Sequence, residues 1–344
     1  MEIESKAYSL AKVANELGVS KAAVSLVMNG KARKGGISVD LEKRIMKFCR
    51  NVSYRPNIHA QRMNQRQVKN IGILINASGG VNEITPLGEY NISHVIGRVA
   101  VGADAVGYRF STQLYKPDMP IERVIEWFRT REIDGLIYYG LNIPASWVKT
   151  FTSASLNVVG ISVDPAQGIP CVNIDNYEAS FKLTKHFINK GHKKFLYLAG
   201  NHCFPADQRY LGFRDALKEY NISFSEKSLL TADFDCATAE NLIKERCMLG
   251  DLKEDAIICA NDNMAIGVIR ALKSYGDTYT DKIAIAGGDN IKIGQFISPS
   301  LTTFDFFPAE QGKAAFELLY RIITGERNPE NVVIKSSLYF RDSG

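Results

Sequence analysis

Cysteine and histidine side chains are common metal ligands and catalytic groups, and here neither type is spaced for such chemistry. The six cysteines form no CxxC pair and no mixed ligand spacing: Cys49, Cys171, Cys203, Cys236, Cys247 and Cys259. The five histidines show no catalytic spacing: His59, His94, His186, His192 and His202. The motifs GxxxxGKS/T, HExxH and GxSxG are absent from the sequence. The sequence therefore predicts reduced thiols, no metal centre, no cofactor and no enzyme.

The charged side chains are unevenly distributed along the chain. Residues 1–70 hold 14 Lys or Arg and 5 Asp or Glu, a net charge of +9, whereas the other 274 residues carry −4 of the total of +5. A run of basic residues on its own is commonly a solvated face. Here the run coincides with a helical motif, which favours a polyanionic partner such as nucleic acid.

Length and apolar content limit the fold class. A chain of 344 residues predicts two or three domains of roughly 150 residues each. An apolar content of 45% is enough to build cores. No apolar run follows a basic N-terminal start, and no stretch approaches the roughly 20 apolar residues that span a bilayer. The sequence therefore predicts a cytoplasmic globular protein without a membrane partner.

Three short amphipathic patterns lie in the basic segment. Ser9 is a candidate N-cap for the first pattern, and Gly18 suits the left-handed residue that ends it. Ser20 caps a second pattern, and neither helix of about two turns is stable alone. A third pattern after Ser38 supports both helices with one apolar stripe: Leu41, Ile45, Phe48 and Val52. The geometry is that of a helix-turn-helix, whose second helix enters the DNA major groove by its N-terminal end.

The stretch SLAKVANELGVSKAAVSLVMNG, followed by SYRPNIHAQRM at 53–63, resembles the lactose-repressor/galactose-repressor family of bacterial transcription regulators. The likeness runs through nearly the whole chain. It implies that the first residues of the second helix read bases, with Lys21 donating to guanine O6 or N7 and Ala22 offering a methyl contact. Ser25 and Leu26 lie one turn further on. The other DNA contacts implied in this domain are Ser9, Ser20, Asn29 and Tyr54.

Residues 56–70 match the hinge helix and linker of that family. Pro56 fits the first turn of a helix, where a missing N–H costs nothing. The resemblance implies that this helix folds on the operator and inserts an apolar side chain into a base step of the minor groove. Met63 stands where the family has leucine, and its thioether can still part a base step. The other contacts implied in the hinge are Asn57, His59 and Ala60.

The stretch GKARKGGIS is about three residues longer than the usual link between the second and third helices of the family. Lys31, Arg33 and Lys34 lie beside glycines in this link. They either contact phosphates or form a solvated loop, and the sequence leaves both interpretations open.

From Ile71 onward, short apolar strands such as NIGILIN and DGLIYYGL alternate with helical patterns. This alternation predicts an α/β core of two doubly wound subdomains, with a ligand cleft at the carboxyl ends of the strands. The resemblance implies a periplasmic-binding-protein-like core whose chain crosses between the subdomains near Val163, Ile291 and Tyr320. The predicted boundaries are 1–55 for the all-α helix-turn-helix domain, 56–70 for the hinge, and 71–344 for the effector-binding and dimerisation core. Within the core, one subdomain takes about 71–163 plus 292–320, and the other about 164–291 plus 321–341.

The effector site is implied by motifs of the same family. QRYLGF, CANDNMAIG and AGGDN place Arg209, Asn261 and Asp289 in the cleft. Further candidates are Cys203 and Phe234, which fit core packing equally well, and Tyr90 and Asn91 on the other subdomain. An Arg and an Asp beside an aromatic ring favour a sugar or another polyol, whose hydroxyls need donors and acceptors. A nucleobase fits as well.

The resemblance thus predicts a homodimeric transcriptional repressor that binds a pseudo-palindromic duplex operator under the control of a small-molecule effector. An effector that releases DNA and one that promotes binding both fit. No leucine heptad follows the core, so no tetramer is expected. On fold alone, the alternative is a cytoplasmic small-molecule-binding or oxidoreductase-type α/β protein without a DNA function. That alternative leaves the basic head unexplained.

Overall fold

The structure is a computed structural model that describes residues 8–54, 67–76, 90–116, 118–140, 143–276 and 282–344. The chain divides into two compact units, Met1–Val68 and Lys69–Gly344, which we call the head and the core. The boundaries predicted at residues 55 and 71 lie on either side of this division. Most of the predicted hinge, 56–70, lies outside the described residues.

The head contains helices α1 (Leu10–Leu17), α2 (Lys21–Met28) and α3 (Val39–Asn51). Each helix begins at a predicted serine cap. The hydroxyl oxygens of Ser9, Ser20 and Ser38 accept hydrogen bonds of 3.1–3.3 Å from backbone N–H groups three residues on. Gly18 ends α1 with φ 63°, the left-handed conformation that glycine adopts without strain. Short-range signals in the sequence therefore set all three helix starts.

One small hydrophobic core holds the three helices together. Its buried members come from every helix and from the segments that follow α2 and α3: Val13, Ala14, Val24, Val27, Ala32, Ile45, Cys49 and Tyr54. Val19, in the turn between α1 and α2, packs against this cluster. Outside it, Arg44 on α3 donates to the backbone oxygen of Leu17 at 2.7 Å and so satisfies a carbonyl at the end of α1.

The core of the protein alternates strands and helices as predicted. The strands are β1 (Asn70–Asn76), β2 (Arg109–Tyr115), β3 (Gly135–Tyr139), β4 (Val158–Ile161), β5 (Cys171–Ile174), β6 (Phe195–Ala199), β7 (Leu229–Thr231), β8 (Ala256–Cys259), β9 (Ala284–Ala286), β10 (Thr303–Phe304), β11 (Val332–Ile334) and β12 (Leu338–Tyr339). The helices are α4 (Tyr90–Ala105), α5 (Ile121–Arg129), α6 (Ala145–Ser153), α7 (Asn176–Asn189), α8 (Phe204–Glu219), α9 (Cys236–Met248), α10 (Asp262–Ser274) and α11 (Pro308–Ile323).

Two parallel sheets organise the core into two lobes. The first lobe has the strand order β11-β5-β4-β3-β1-β2, and the second has the order β7-β6-β8-β9. Strands β4, β5 and β8 are buried at every residue, as expected for parallel strands covered by helices on both faces. A short antiparallel pair of β10 and β12 lies beside the second sheet, joined to it by an isolated bridge between Ala286 and Thr302.

The lobe boundaries differ from those predicted. Strands β5 and β11 pair in parallel within the first sheet, so the first crossing follows Ile174 rather than lying near Val163. The second crossing follows Phe304 instead of Ile291, because the chain from 292 to 304 packs with the second lobe through Leu301 and Phe304. The third lies between β11 and β12 rather than near Tyr320. A strand of three or four residues has too few residues to show a clear sequence pattern. Its partner strand is determined by contacts with residues that lie far away in the sequence.

Candidate DNA-binding surface and effector cleft

The N-terminal turn of α2 presents its side chains to solvent. Lys21 and Ala22 are exposed, whereas the next residues, Ala23 and Val24, are buried against the other helices of the head. An exposed cation and an exposed methyl group therefore stand where a recognition helix meets base edges. Lys21 and Ala22 are the residues predicted to meet bases, and that role stays a prediction.

The hydroxyl groups of Ser9 and Ser20 serve the helices and still have a proton to donate. Each oxygen accepts the capping N–H, and a hydroxyl carries one donor besides its acceptor sites. Both serines are exposed, so each is accessible to a phosphate. At the other end of α2, Asn29 Nδ2 donates to Ser25 Oγ at 3.2 Å.

Tyr54 and Leu26, two of the predicted DNA contacts, also pack within the head. Tyr54 is only 8% exposed and packs in the head core, and this burial raises the pKa of its phenol. Leu26 is half-buried, because the chain at Gly35 lies so close that a Cβ there would overlap Leu26 Cδ1. Packing is the role that the structure gives both side chains. The hinge candidates Asn57, His59, Ala60 and Met63 lie outside the described residues.

In the second lobe, Arg209 on α8 is the centre of a buried polar cluster at the carboxyl ends of the strands. Its guanidinium Nη2 donates to Asp289 Oδ1 at 3.1 Å, Nη1 donates to the backbone oxygen of Ala260, and Nε donates to Asn176 Oδ1 at 2.8 Å. Arg209 is 4% exposed and Asp289 is 8% exposed. Among the described residues, these bonds use three of the five guanidinium N–H groups.

Aromatic rings fix the guanidinium further. The centroids of Phe304 and Phe306 lie 4.9 and 5.1 Å from Arg209 Cζ, within the range of cation–π contacts. The predictions missed both rings and Asn176. All three lie where the chain crosses between the lobes, and the alternating aromatic residues of LTTFDFF were the available signal for two of them.

Asp262, next to the predicted Asn261, connects segments of the second lobe through hydrogen bonds. Its carboxylate accepts from Thr303 Oγ1 at 2.6 Å and from the backbone N–H of Ile291 at 2.8 Å. Burial, and then the charge of Asp289, raise the pKa of this carboxyl to about 7. The bonds join the start of α10 to the chain that leads away from Asp289.

Asn261, Phe234 and Cys203 lie at the same edge of the second sheet, in the segments that follow β8, β7 and β6. Asn261 Oδ1 caps α10 by accepting from the Met264 N–H at 2.9 Å, while its Nδ2 donates to the Phe234 backbone oxygen at 3.2 Å. The tip of the Phe234 ring lies against Gly200, where a Cβ would overlap it. Cys203 precedes α8, and burial raises the pKa of its thiol.

The candidates of the first lobe lie at the start of α4, which follows β1. Asn91 is half-buried, and its Oδ1 is buried without a hydrogen-bond partner among the described residues. Such an atom is costly to leave unsatisfied. The side chain of Tyr90 lies outside what the structure describes.

Non-glycine residues with positive φ lie near the carboxyl ends of the strands, and Ser162, Phe234, Asp289 and Phe307 are four of them. Their angles are 57° for Ser162, 63° for Phe234, 131° for Asp289 and 44° for Phe307. Conformations of this kind cost of order 1–3 kcal/mol each and persist where the surrounding structure fixes them, which is common at ligand sites. Two of the four, Phe234 and Asp289, are predicted effector residues.

Within the described ranges, no group of three or more His, Cys, Asp or Glu side chains is arranged to hold a metal ion. Among the same residues, no helix is both long enough and apolar enough to cross a bilayer.

Two family models match the chain. Residues 9–57 match the model for bacterial regulatory proteins of the lacI family, and residues 184–344 match the periplasmic binding protein-like domain. Among curated relatives, the HTH-type transcriptional regulator RegA of Clostridium saccharobutylicum is 25% identical, over 98% of this chain and 99% of its own. Catabolite control protein A of Priestia megaterium is 24% identical over 96% and 97% of the two chains. GalS of Salmonella typhimurium is 28% identical over 89% and 87%.

Solved structures match at the level of the fold. A lac repressor dimer bound to operator and the anti-inducer ONPF matches with a TM-score of 0.83 and 20% identity, over 98% of this chain and 99% of that one. A complex of the regulator CelR with cellobiose matches with a TM-score of 0.71 and 22% identity, over 98% and 100%. The family model that matches part of the head describes bacterial regulatory proteins, and the curated relatives named above are two transcriptional regulators and a catabolite control protein. Residues 9–57 are therefore similar to the lacI family of bacterial regulatory proteins.

Proposed function

We propose that this protein is a sequence-specific repressor that acts in the cytoplasm on chromosomal DNA. It binds a pseudo-palindromic operator as a homodimer and responds to a small polyol effector, for which a sugar is favoured. The observation that carries the proposal is the exposed N-terminal turn of α2. Lys21 and Ala22 lie in this turn, on a basic head whose three helices share one hydrophobic core. Each head of a dimer would place this turn in a major groove, which makes the site two-fold symmetric.

Selection from a random duplex library at low ionic strength tests the DNA part of the proposal. The full-length protein should enrich one site with two inverted halves, and raising the salt should lower its affinity steeply. The selection is repeated with candidate sugars present. A library that shows no enriched sequence under any of these conditions contradicts the proposed function.

Exposed apolar side chains on the first lobe support the homodimer. Strand β2 is an edge strand, and Phe110 and Leu114 on one of its faces are 38% and 48% exposed. Val101 on the neighbouring helix α4 is 63% exposed. A patch that is self-complementary about a two-fold axis would cover this edge in both copies.

Sedimentation velocity tests this interface with the double variant Phe110→Glu, Leu114→Glu. We expect a dimer for the unaltered protein and a folded monomer for the variant, which should also lose affinity for the full operator. The matched control is Met248→Glu, Leu249→Glu, which alters another pair of exposed apolar residues, each 73% exposed. A variant that remains dimeric would place the interface elsewhere.

The Arg209 cluster supports a polyol effector. Arg209 offers two N–H donors, the Asp289 carboxylate is an acceptor beside them, and Phe234 supplies an apolar ring at the same edge of the sheet. Hydroxyl groups both donate and accept, and the ring faces of sugars pack on aromatic side chains. The cellobiose complex of CelR shows that a protein of this fold binds a sugar.

A thermal-shift screen of sugars and nucleobases identifies the effector class. A ligand at 100 times its Kd adds about 2.7 kcal/mol to the folded state. Asp289→Asn keeps the size of the side chain but removes its charge, and it should abolish the shift given by a sugar without weakening operator binding. A shift that only nucleobases produce contradicts the polyol assignment and leaves the DNA part intact.

A further inference from the structure

The segment that links α2 to α3 is an ordered part of the head. We call residues 30–37 the basic loop. The Lys31 N–H donates to the Leu26 oxygen at 2.8 Å, and the Ile37 N–H donates to the Ala32 oxygen at 3.0 Å. Ala32 is only 1% exposed and lies in the head core. The loop is therefore held against the second half of α2.

The glycines of the basic loop allow this close approach. Gly35 lies directly over Leu26, where any Cβ would overlap the leucine side chain. Gly36 has φ 70°, a conformation that favours glycine. Both glycines keep the backbone of the loop close to α2. The side chains between Lys31 and Gly35 therefore extend from a backbone whose position relative to α2 is fixed.

The three cations of the basic loop fall into two groups. Arg33 forms an ion pair of 2.8 Å with Glu42 on α3, and it also donates to the Ile37 oxygen at 3.3 Å. Its charge is thus balanced within the head, where it braces the loop. Lys31 and Lys34 are exposed, and among the described residues neither has an acidic side chain within ion-pair distance. The loop therefore presents a net surface charge from two lysines.

The length of α2 places these lysines at the height of the DNA backbone. An eight-residue helix rises about 12 Å, at 1.5 Å per residue. The major groove is about 8.5 Å deep. A helix that enters the groove by Lys21 therefore brings its C-terminal end, and the loop attached there, to the rim of the groove. The phosphates lie at that rim.

We propose that Lys31 and Lys34 form a second, sequence-independent DNA contact, in which each ammonium group binds a phosphate flanking the half-site. The inference rests on the proposed function, because it takes the entry of α2 into the groove as given. The basic loop widens the footprint of each head without reading bases. Its contribution is electrostatic, so it strengthens binding to every duplex equally.

The dependence of affinity on salt measures this contact directly. For B-DNA, log K falls with log salt concentration by about 0.9 for each phosphate that a protein neutralises. The test compares the full-length protein with Lys31→Gln, Lys34→Gln on a 30-base-pair duplex of random sequence and on the selected operator. The slope per head should decrease by about 1.8 on both duplexes, while the ratio of the two affinities stays unchanged.

The matched control is Lys43→Gln, Lys47→Gln, which removes the same charge from exposed positions on α3 of the same head. If the loop lysines touch phosphates, this control changes the slope by much less than the loop variant does. Equal slopes for both variants would mean that only the net charge of the head matters, and this result overturns the inference. An unchanged slope in the loop variant overturns it too. If the unaltered protein binds neither duplex, the proposed function itself fails.

Thermal unfolding of the loop variant verifies that the head stays folded. Both lysines are exposed, so their replacement should leave the midpoint of thermal unfolding nearly unchanged. Arg33→Gln gives the complementary result, because it breaks the ion pair with Glu42 and lowers the stability of the head. Its effect on the slope should be smaller than that of either loop lysine.

Discussion

The head and the candidate effector cleft around Arg209 organise their polar groups in opposite ways. In the head, Lys21 stands exposed at the end of a short helix, on a scaffold whose caps and core come from one continuous segment of fewer than 60 residues. In the cleft, Arg209 and Asp289 are buried and 80 residues apart in sequence, and Asn176 and Phe304 join them from other segments.

This difference determines what a substitution can do. An exposed cation meets its partner only when DNA binds, so its removal should change recognition and leave the fold unaltered. A buried cation that already holds a carboxylate and a carbonyl contributes to folding and to ligand binding together. Variants in the head should therefore change DNA recognition without changing stability. Variants in the cleft should change ligand binding and stability together.

The largest effect is expected for Arg209→Ala. The substitution takes the guanidinium away from the buried Asp289 carboxylate, and breaking such a pair costs about 3–5 kcal/mol. Urea unfolding followed by tryptophan fluorescence measures it, because Trp127 and Trp147 both lie in the core and do not report on the head. The double variant Arg209→Ala, Asp289→Asn should recover part of the loss. A loss of less than 1 kcal/mol for the single variant would contradict the stabilising role of the buried ion pair between Arg209 and Asp289.

Lys21→Ala should produce the next largest effect, and only in recognition. A bidentate contact to a base discriminates by about 1–3 kcal/mol, so preference for one base pair in each half-site should relax by about 5-fold to 160-fold. Affinities for the selected operator and its single-base variants measure this, with Lys47→Ala as the control. Uniform weakening on all sequences would instead make Lys21 a phosphate contact. Unfolding of the variant should match that of the unaltered protein.

The same contrast explains how far the sequence could predict the molecule. Every helix start in the head was predictable, since a serine cap acts on an N–H only three residues away. The alternation of strands and helices was likewise readable in the core. The lobe boundaries were not predictable, because they depend on contacts between residues far apart in sequence. Strands β5 and β11 are too short to show a pattern, and their pairing places the boundaries elsewhere.

Within the sites, the residues missed are those whose role is created by folding. Asn176 has no motif of its own, and it becomes part of the cleft because its Oδ1 lies 2.8 Å from Arg209 Nε. Tyr54 shows the converse: it matches the family pattern next to a basic linker, and its packing in the head at 8% exposure was not predicted, while its DNA contact stays a prediction. Sequence spacing identifies a residue type, whereas its exposure follows from packing.

A pH titration of stability extends the comparison, because the cleft holds a carboxyl with an elevated pKa. Burial raises the pKa of Asp262 from its usual value of 3.8 to about 7. The folded state therefore keeps a proton that the unfolded chain has lost, and the stabilisation that is full below pH 3.8 disappears as the pH rises through 7. The free energy of unfolding of the core should fall by about 1.4 kcal/mol between pH 6 and pH 8. Asp262→Asn should remove this dependence, and an identical pH profile for the variant would assign the effect to other groups.

The smallest effect concerns the head, where Ser20 has both a structural and a recognition role. Its hydroxyl oxygen caps α2 at the Ala23 N–H, so Ser20→Ala should cost the head about 1 kcal/mol. Hydrogen exchange at the head amides measures this loss. Ser25→Ala is the matched control in the same helix, since Ser25 accepts only from the Asn29 side chain and should cost less.

Ser20→Asn retains a capping oxygen but not the hydroxyl donor. If Ser20 donates to a phosphate, this variant restores the stability of the head and still binds the operator more weakly; full recovery of affinity would limit Ser20 to its capping role.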